Sequence, residues 1–227
     1  MDCRTCGGAA GAPPGLEEVV RMYARSTTMR GDPQRIDEGI RLVRDEVMPA
    51  VQEMDGCIGL SLLVDRGTGT SIVTSAWESE DAMRASAPRV QPQRARIADL
   101  LSATPEVREW EIAVLHRERT APEGACASVT WTRGDPQHVD RNLQIFRDQL
   151  MPRLMDFDGF CSVSLFINRA EGRGVTATVF RDRAALDNAR DGLDEIRRGA
   201  IEQLSLELLD VAEFDVAYAH LRVPEMA

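Results

Sequence analysis

Between Ile36 and Val51 the apolar residues Ile36, Ile40, Val43, Val47 and Val51 recur three and four positions apart, the spacing of one buried helical stripe opposite a solvated face. Gly31-Asp32-Pro33 just ahead supplies an N-cap carboxylate and a proline for the first turn. Pro49 falls near the last turn and predicts a kink, and Asp55-Gly56 ends the helix. The pattern then changes to period two. Ile58, Leu60, Leu62 and Val64 alternate with Gly59, Ser61 and Leu63 in a strand over Cys57 to Asp65, and Arg66 to Thr70 turn the chain into a second strand, Ser71 to Glu78. Val19 to Thr27 reads as a strand before the helix. Ser79 caps a second helical region that Pro88 and Pro92 should break, with resumption at Gln93 to Ala103, and Val107 to His116 reads as the last strand.

This order, βαββαβ, occurs twice. Shifted by 103 residues, Arg30 to Arg66 falls on Arg133 to Arg169 without a gap, and 15 of 37 positions are identical. Shared marks include Arg-Gly-Asp-Pro-Gln at Arg30 and Arg133, Met48-Pro49 with Met151-Pro152, and Asp55-Gly56 with Asp158-Gly159. Trp77 meets Phe180, and after one inserted residue Trp110 and His116 meet Phe214 and His220.

The element order is that of the ferredoxin-like split βαβ, an antiparallel sheet with both helices on one face. Such a sheet leaves its other face open, and a tandem copy supplies the matching surface. The fold class is therefore α+β: two tandem ferredoxin-like modules packed sheet to sheet as a barrel within one chain. The boundaries read as an N-terminal tail over 1–17, a first module over 18–117, a linker over 118–124 and a second module over 125–221. A chain whose modules satisfy each other should be a monomer, with pairing of modules between chains the alternative.

Charge narrows the partners. A net charge of -10 opposes phosphate backbones and anionic lipid, so no nucleic-acid or membrane partner is expected. All 27 basic residues are arginine, which excludes a Schiff-base, phosphate-loop or general-base lysine. No signal-peptide core or membrane span is read, so the expected location is cytoplasmic. Five cysteines is an odd count at unrelated spacings, against a disulfide framework. Cys57, Cys126 and Cys161 read as buried thiols, and Cys3-x-x-Cys6 lies in a Gly/Ala/Pro tail without further metal ligands.

The run Trp77-Glu78-Ser79-Glu80-Asp81-Ala82-Met83, following the Gly-Asp-Pro helix start and the Asp55-Gly56 hairpin, resembles the antibiotic-biosynthesis-monooxygenase family of dimeric α+β barrels. The second copy departs from it, with Phe180-Arg181-Asp182 in place of Trp-Glu-Ser. The resemblance implies the barrel fold and one of several activities: oxygenases without metal or organic cofactor, haem degradation, or none. The Asn, Trp and haem-ligating His of the haem-degrading branch would fall on Tyr23, Ser86 and Ala95, or on Cys126, Ala189 and the Arg197-Arg198 neighbourhood, and none matches. The reading the resemblance implies is a cofactor-independent monooxygenase-like protein acting on a small aromatic substrate, a polycyclic phenol whose own anion reduces dioxygen. The alternative is a non-enzymatic barrel that binds a small apolar ligand or serves as an interaction module.

For the oxygenase, His116 is the candidate general base, Arg94 the clamp for a phenolate or carboxylate, and Tyr23, Trp77 and Trp110 the pocket walls. Each has a plainer reading: the tryptophans as core, the arginine as a surface residue, and the paired His116 and His220 as fasteners of equivalent strand ends. By period two, His116 should share a strand face with Trp110 and Val114.

Overall fold

The computed structural model describes residues 21–221. Val19 and Val20 of the expected first strand, and Cys3 and Cys6, lie outside the described residues. In the first module β1 (Met22–Arg30) leads through a 3-10 turn into α1 (Ile36–Leu42), a π-helical turn (Val43–Val47) and α2 (Met48–Gln52). Then come β2 (Cys57–Asp65), β3 (Thr70–Trp77), α3 (Glu80–Leu101) and β4 (Glu106–Arg117). The second module repeats this as β5 (Cys126–Arg133), α4 (Val139–Ile145), a π-helical turn (Phe146–Leu150), α5 (Met151–Met155), β6 (Phe160–Asn168), β7 (Arg173–Phe180), α6 (Arg183–Leu204) and β8 (Glu207–Leu221).

The eight strands close into one antiparallel barrel in the order β1-β3-β2-β8-β5-β7-β6-β4. Each module contributes four neighbouring strands, and the barrel closes where β2 pairs with β8 and β4 with β6. Helices cover the outside, so each module has its own core between sheet and helices, while the inward faces of both sheets meet across a common lumen. Both sheets thus spend their open faces inside one chain. On that ground we expect light scattering to give a mass near 25 kDa. A mass of about twice that would mean that copies pair through some further surface.

Several shared marks of the repeat explain themselves in three dimensions. Arg66 bonds Asp37 on the helix of its own module and Asp215 on β8 across the seam. Its counterpart Arg169 does the same with Asp140 and with Glu111 on β4. Both seams are therefore clamped by the same ionic triad, and hydrogen bonding to Glu111 drives the Arg169 pKa upward against the effect of burial. The glycine of each Gly-Asp-Pro is there for space: a Cβ on Gly31 would lie 2.2 Å from the Leu101 carbonyl oxygen. Asp32 and Asp135 do cap the following turns, accepting from the Gln34 and Gln137 amides.

Two expectations about prolines need correction. Pro88 and Pro92 do not break the second helix: α3 runs unbroken over 22 residues, the length of its proline-free counterpart α6. Its Ser79 cap and the buried anchors Met83, Ile97 and Leu101 hold both ends against the sheet, and packing of this kind overrides the local penalty. Ahead of Pro49 and Pro152 the chain widens into a π-helical turn, with Met48 and Met151 amides bonding Val43 and Phe146 carbonyls five residues back. The wider turn accommodates the missing donor, and an α-helical segment resumes after it.

Candidate functional site

The sequence-derived candidates fall into three separate places. Tyr23 and Trp77 are cross-strand partners on the outer face of the first sheet. Trp77 is 0% exposed, donates its indole N–H to Ser75 Oγ at 3.0 Å, and packs in the module core with no free ring face. Arg94 is carried by α3, which packs over that face. Burial pushes its pKa down, the neighbouring Arg25 charge adds to that, and Glu109 opposes it. Trp110 points the other way, into the lumen, where its indole N–H bonds Ser26 Oγ at 2.8 Å.

His116 joins neither group. The register of β4 against β6 slips between Ile112 and Val114, placing a bulge at Ala113. A bulge adds one residue and reverses the inward and outward alternation beyond it. Trp110 and Ile112 face the lumen, as do Leu115 and Arg117 after the slip, while Val114 joins the second module's core. His116 stacks on Phe160 at 6.4 Å, with its Nε2 buried and unpartnered. His116 thus does not share a face with Trp110, and among the described residues the five candidates do not form one pocket.

In the first module the space between sheet and helices is filled by charge. Arg25, only 3% exposed, donates to Glu109 through Nε (3.0 Å) and Nη2 (2.8 Å), to Ser86 Oγ (2.8 Å) and to the Met83 carbonyl (2.7 Å). Ser86 in turn donates to the Met83 carbonyl. Arg25 is a plug.

The equivalent space in the second module is open, a cavity of about 140 Å³. Ser128 stands where the first copy has Arg25, Thr132 replaces Met29, and Thr176 replaces Val73. These smaller residues leave a hydroxyl-lined wall on β5 and β7, facing an aliphatic wall of Leu143, Leu193 and Ile196. Arg197, the counterpart of Arg94, enters from α6 with its side chain 15% exposed, its Nε bonded to Thr130 Oγ1 at 3.2 Å and its Nη1 to Asp194. Asn142 enters from α4, where the first copy has Gly39. Its amide N–H donates to the Leu204 carbonyl at 3.4 Å, which fixes the amide orientation and leaves Oδ1 buried without a partner. The cavity therefore offers two arginines, Arg197 and the Glu171-paired Arg173, one unused acceptor and several hydroxyls against a largely apolar lining, where polar contacts are strengthened.

No group of three or more His, Cys, Asp or Glu side chains able to hold a metal occurs among the described residues. Cys57, Cys126 and Cys161 are free thiols whose pKa values burial pushes up. No described helix is long and apolar enough to cross a membrane.

The sequence alone misses Ser128, Thr130, Asn142 and Arg197. The repeat carries a signal for Ser128 alone, where the charged Arg25 of the first copy becomes small and polar; Thr130 and Arg197 match Thr27 and Arg94 of the first copy, and Asn142 replaces the smaller Gly39, so nothing in the repeat singles them out. The Trp77-Glu78-Ser79 run draws attention to the first module, yet there it forms core and helix cap.

The model of the family described as antibiotic biosynthesis monooxygenase matches residues 22–89, within the first copy. Rv2558 of Mycobacterium tuberculosis, an uncharacterised protein, is 48% identical over 97% of this chain and 94% of its own length. A second uncharacterised protein of that organism, Rv2557, is 45% identical over 97% of this chain and 99% of its own. The crystal structure of an anthrone oxidase-like protein superposes with a TM-score of 0.64 at 13% identity, covering 92% of this chain and 97% of that one, a likeness of fold. The chain belongs to the antibiotic biosynthesis monooxygenase family, as two of its modules fused into one barrel.

Proposed function

We propose that the protein is a cofactor-independent monooxygenase-like enzyme that takes a small phenolic aromatic into the second-module cavity. The observation that carries this is that a nearly buried Arg197 and the unpartnered Asn142 Oδ1 line the same cavity. A phenolate oxygen would lie against the guanidinium, which favours the ionised ring, and a second hydroxyl would donate to Asn142. Volume sets the size of the ring system. An apolar cavity of roughly 150 Å³ accepts one benzene ring. A volume of 140 Å³ matches an electron-rich one-ring phenol such as hydroquinone, smaller than the polycyclic phenol expected from the sequence. Hydroquinone and dioxygen would give hydroxybenzoquinone and water: the ring carbon gains one oxygen atom and loses hydrogen, and the second oxygen leaves as water. The electrons come from the substrate anion, and the protein supplies orientation, a counter-charge and a dry enclosure.

A second reading, ligand binding without turnover, is favoured by one feature. Among the described residues the only carboxylate lining the cavity, Asp135, already caps a helical turn. Oxygen uptake on adding hydroquinone decides between them: uptake above buffer supports the enzyme, and saturable binding with none supports the binder. Ser128→Leu, which fills the cavity from its hydroxyl wall, is expected to weaken binding of the one-ring phenol by at least about tenfold under either reading. Unchanged binding would remove the ligand from this cavity.

A further inference from the structure

The barrel encloses a second, larger space that the reading above does not use. An eight-stranded barrel is just wide enough for its own side chains to fill, or to hold one small ligand when they do not. Here they do not: the lumen has a volume of about 670 Å³, within the range of sites for drug-sized molecules. Small inward residues make the space, among them Ser61, Ala76, Ser164, Ala177 and Ala212. Along β7 the inward residues Val175, Ala177 and Val179 are only partly buried although the barrel is closed around them, while outward Thr178 and Phe180 are buried. The lumen thus leaves these apolar side chains without packing partners on their inward side.

The walls indicate what would fill it. Trp110, Trp131, Phe166 and Phe214 line it from four different strands, and Trp131 meets Phe214 edge-on at 6.3 Å. Flat rings between aromatic faces are well accommodated by offset or edge-on contacts. The two mouths differ. Strand direction puts the start of β4 and the end of β2 at one mouth, and the end of β4 at the other. The lining carboxylates Asp65, Glu106 and Asp210 belong to the first mouth, where Glu106 and Glu171 pair with Arg30, Arg108 and Arg173. At the second mouth Arg117 and Arg119 line the lumen beside Ser162, Arg119 also pairing with Glu118 at 3.8 Å, and among the described residues no carboxylate lines the lumen there. In a chain of net charge -10, that opening thus presents two arginine side chains to the lumen.

We propose that the lumen is a binding site for a flat, multi-ring aromatic anion, its rings among the four aromatic side chains and its acidic group at the Arg117 and Arg119 mouth. Of the residues that line the two cavities only Arg173 is shared, so this site stands or falls apart from the second-module pocket.

The probe for the test is 1-anilinonaphthalene-8-sulfonate, a multi-ring aromatic anion. The full chain should bind one equivalent and transfer excitation to it from Trp110 and Trp131. Ala177→Phe and Ser164→Phe, which fill the lumen from two strands, should each weaken binding at least about tenfold while thermal unfolding stays cooperative. Arg119→Ala, on an exposed side chain that fills nothing, should weaken it about threefold or more, and the uncharged N-phenyl-1-naphthylamine should bind less well than the sulfonate. The proposal is overturned if both filling variants bind as the parent does, if Arg119→Ala and loss of the sulfonate change nothing, or if only Ser128→Leu abolishes binding.

Discussion

Replacing Glu109 by leucine is expected to destabilise the protein by about 2–3 kcal/mol, measured by urea unfolding. The loss comes less from the ion pair than from what is left behind: Arg25 stays buried at 3% exposure with its main counter-charge gone, and Arg94 beside it loses the same carboxylate. Breaking a fully buried pair from one side costs roughly 3–5 kcal/mol, and the smaller figure allows for water reaching Glu109, whose side chain is 43% exposed. The double change Arg25→Leu with Glu109→Leu should recover at least half of the loss, since it removes both charges and fills the space with hydrocarbon. A single-variant cost under about 0.5 kcal/mol would show that the Arg25 plug is solvated and its burial unimportant.

Arg197→Leu is expected to act on function. If the guanidinium faces the developing charge of a bound phenol, its loss should lower turnover by about a hundredfold or more, the range found when a preorganised charge-stabilising donor is removed. Stability should change by no more than about 1 kcal/mol, because Arg197 contributes one bond to Thr130 and a pair with a half-exposed Asp194. Arg94→Leu in the first module is the internal control, with turnover unaltered. Equal effects of the two substitutions on oxygen uptake would sink the assignment of the site to the second module.

The legible parts of the fold were those where one face is buried and the other is not. The stripe Ile36, Ile40, Val43, Val47 is a helical face in the structure, and β2 runs from Cys57 to Asp65 as its alternation indicates. The internal repeat made the barrel legible, because a second copy answers the question of what covers the open sheet face. Where both faces are buried the pattern loses its phase. Ile112, Ala113, Val114 and Leu115 are all buried, so nothing in their polarity marks the bulge that separates His116 from Trp110. The candidate site was missed for a different reason. Motif reading favours the copy closest to the family pattern, whereas an open pocket is a matter of volume. Volume appears only when Arg25 is compared with Ser128 and Met29 with Thr132 at matched outward positions.

The opposite fates of those matched positions follow from the fusion of the two modules. In a barrel made by two identical chains every substitution appears on both halves, so a residue that shuts one pocket shuts both. Joining the halves in one gene removes that constraint. Arg25 can brace one half with hydrogen bonds to Glu109, Ser86 and the Met83 carbonyl while Ser128 leaves the other half vacant. One half is then braced while the other keeps an open pocket, a division of labour that a symmetric assembly has no means to encode.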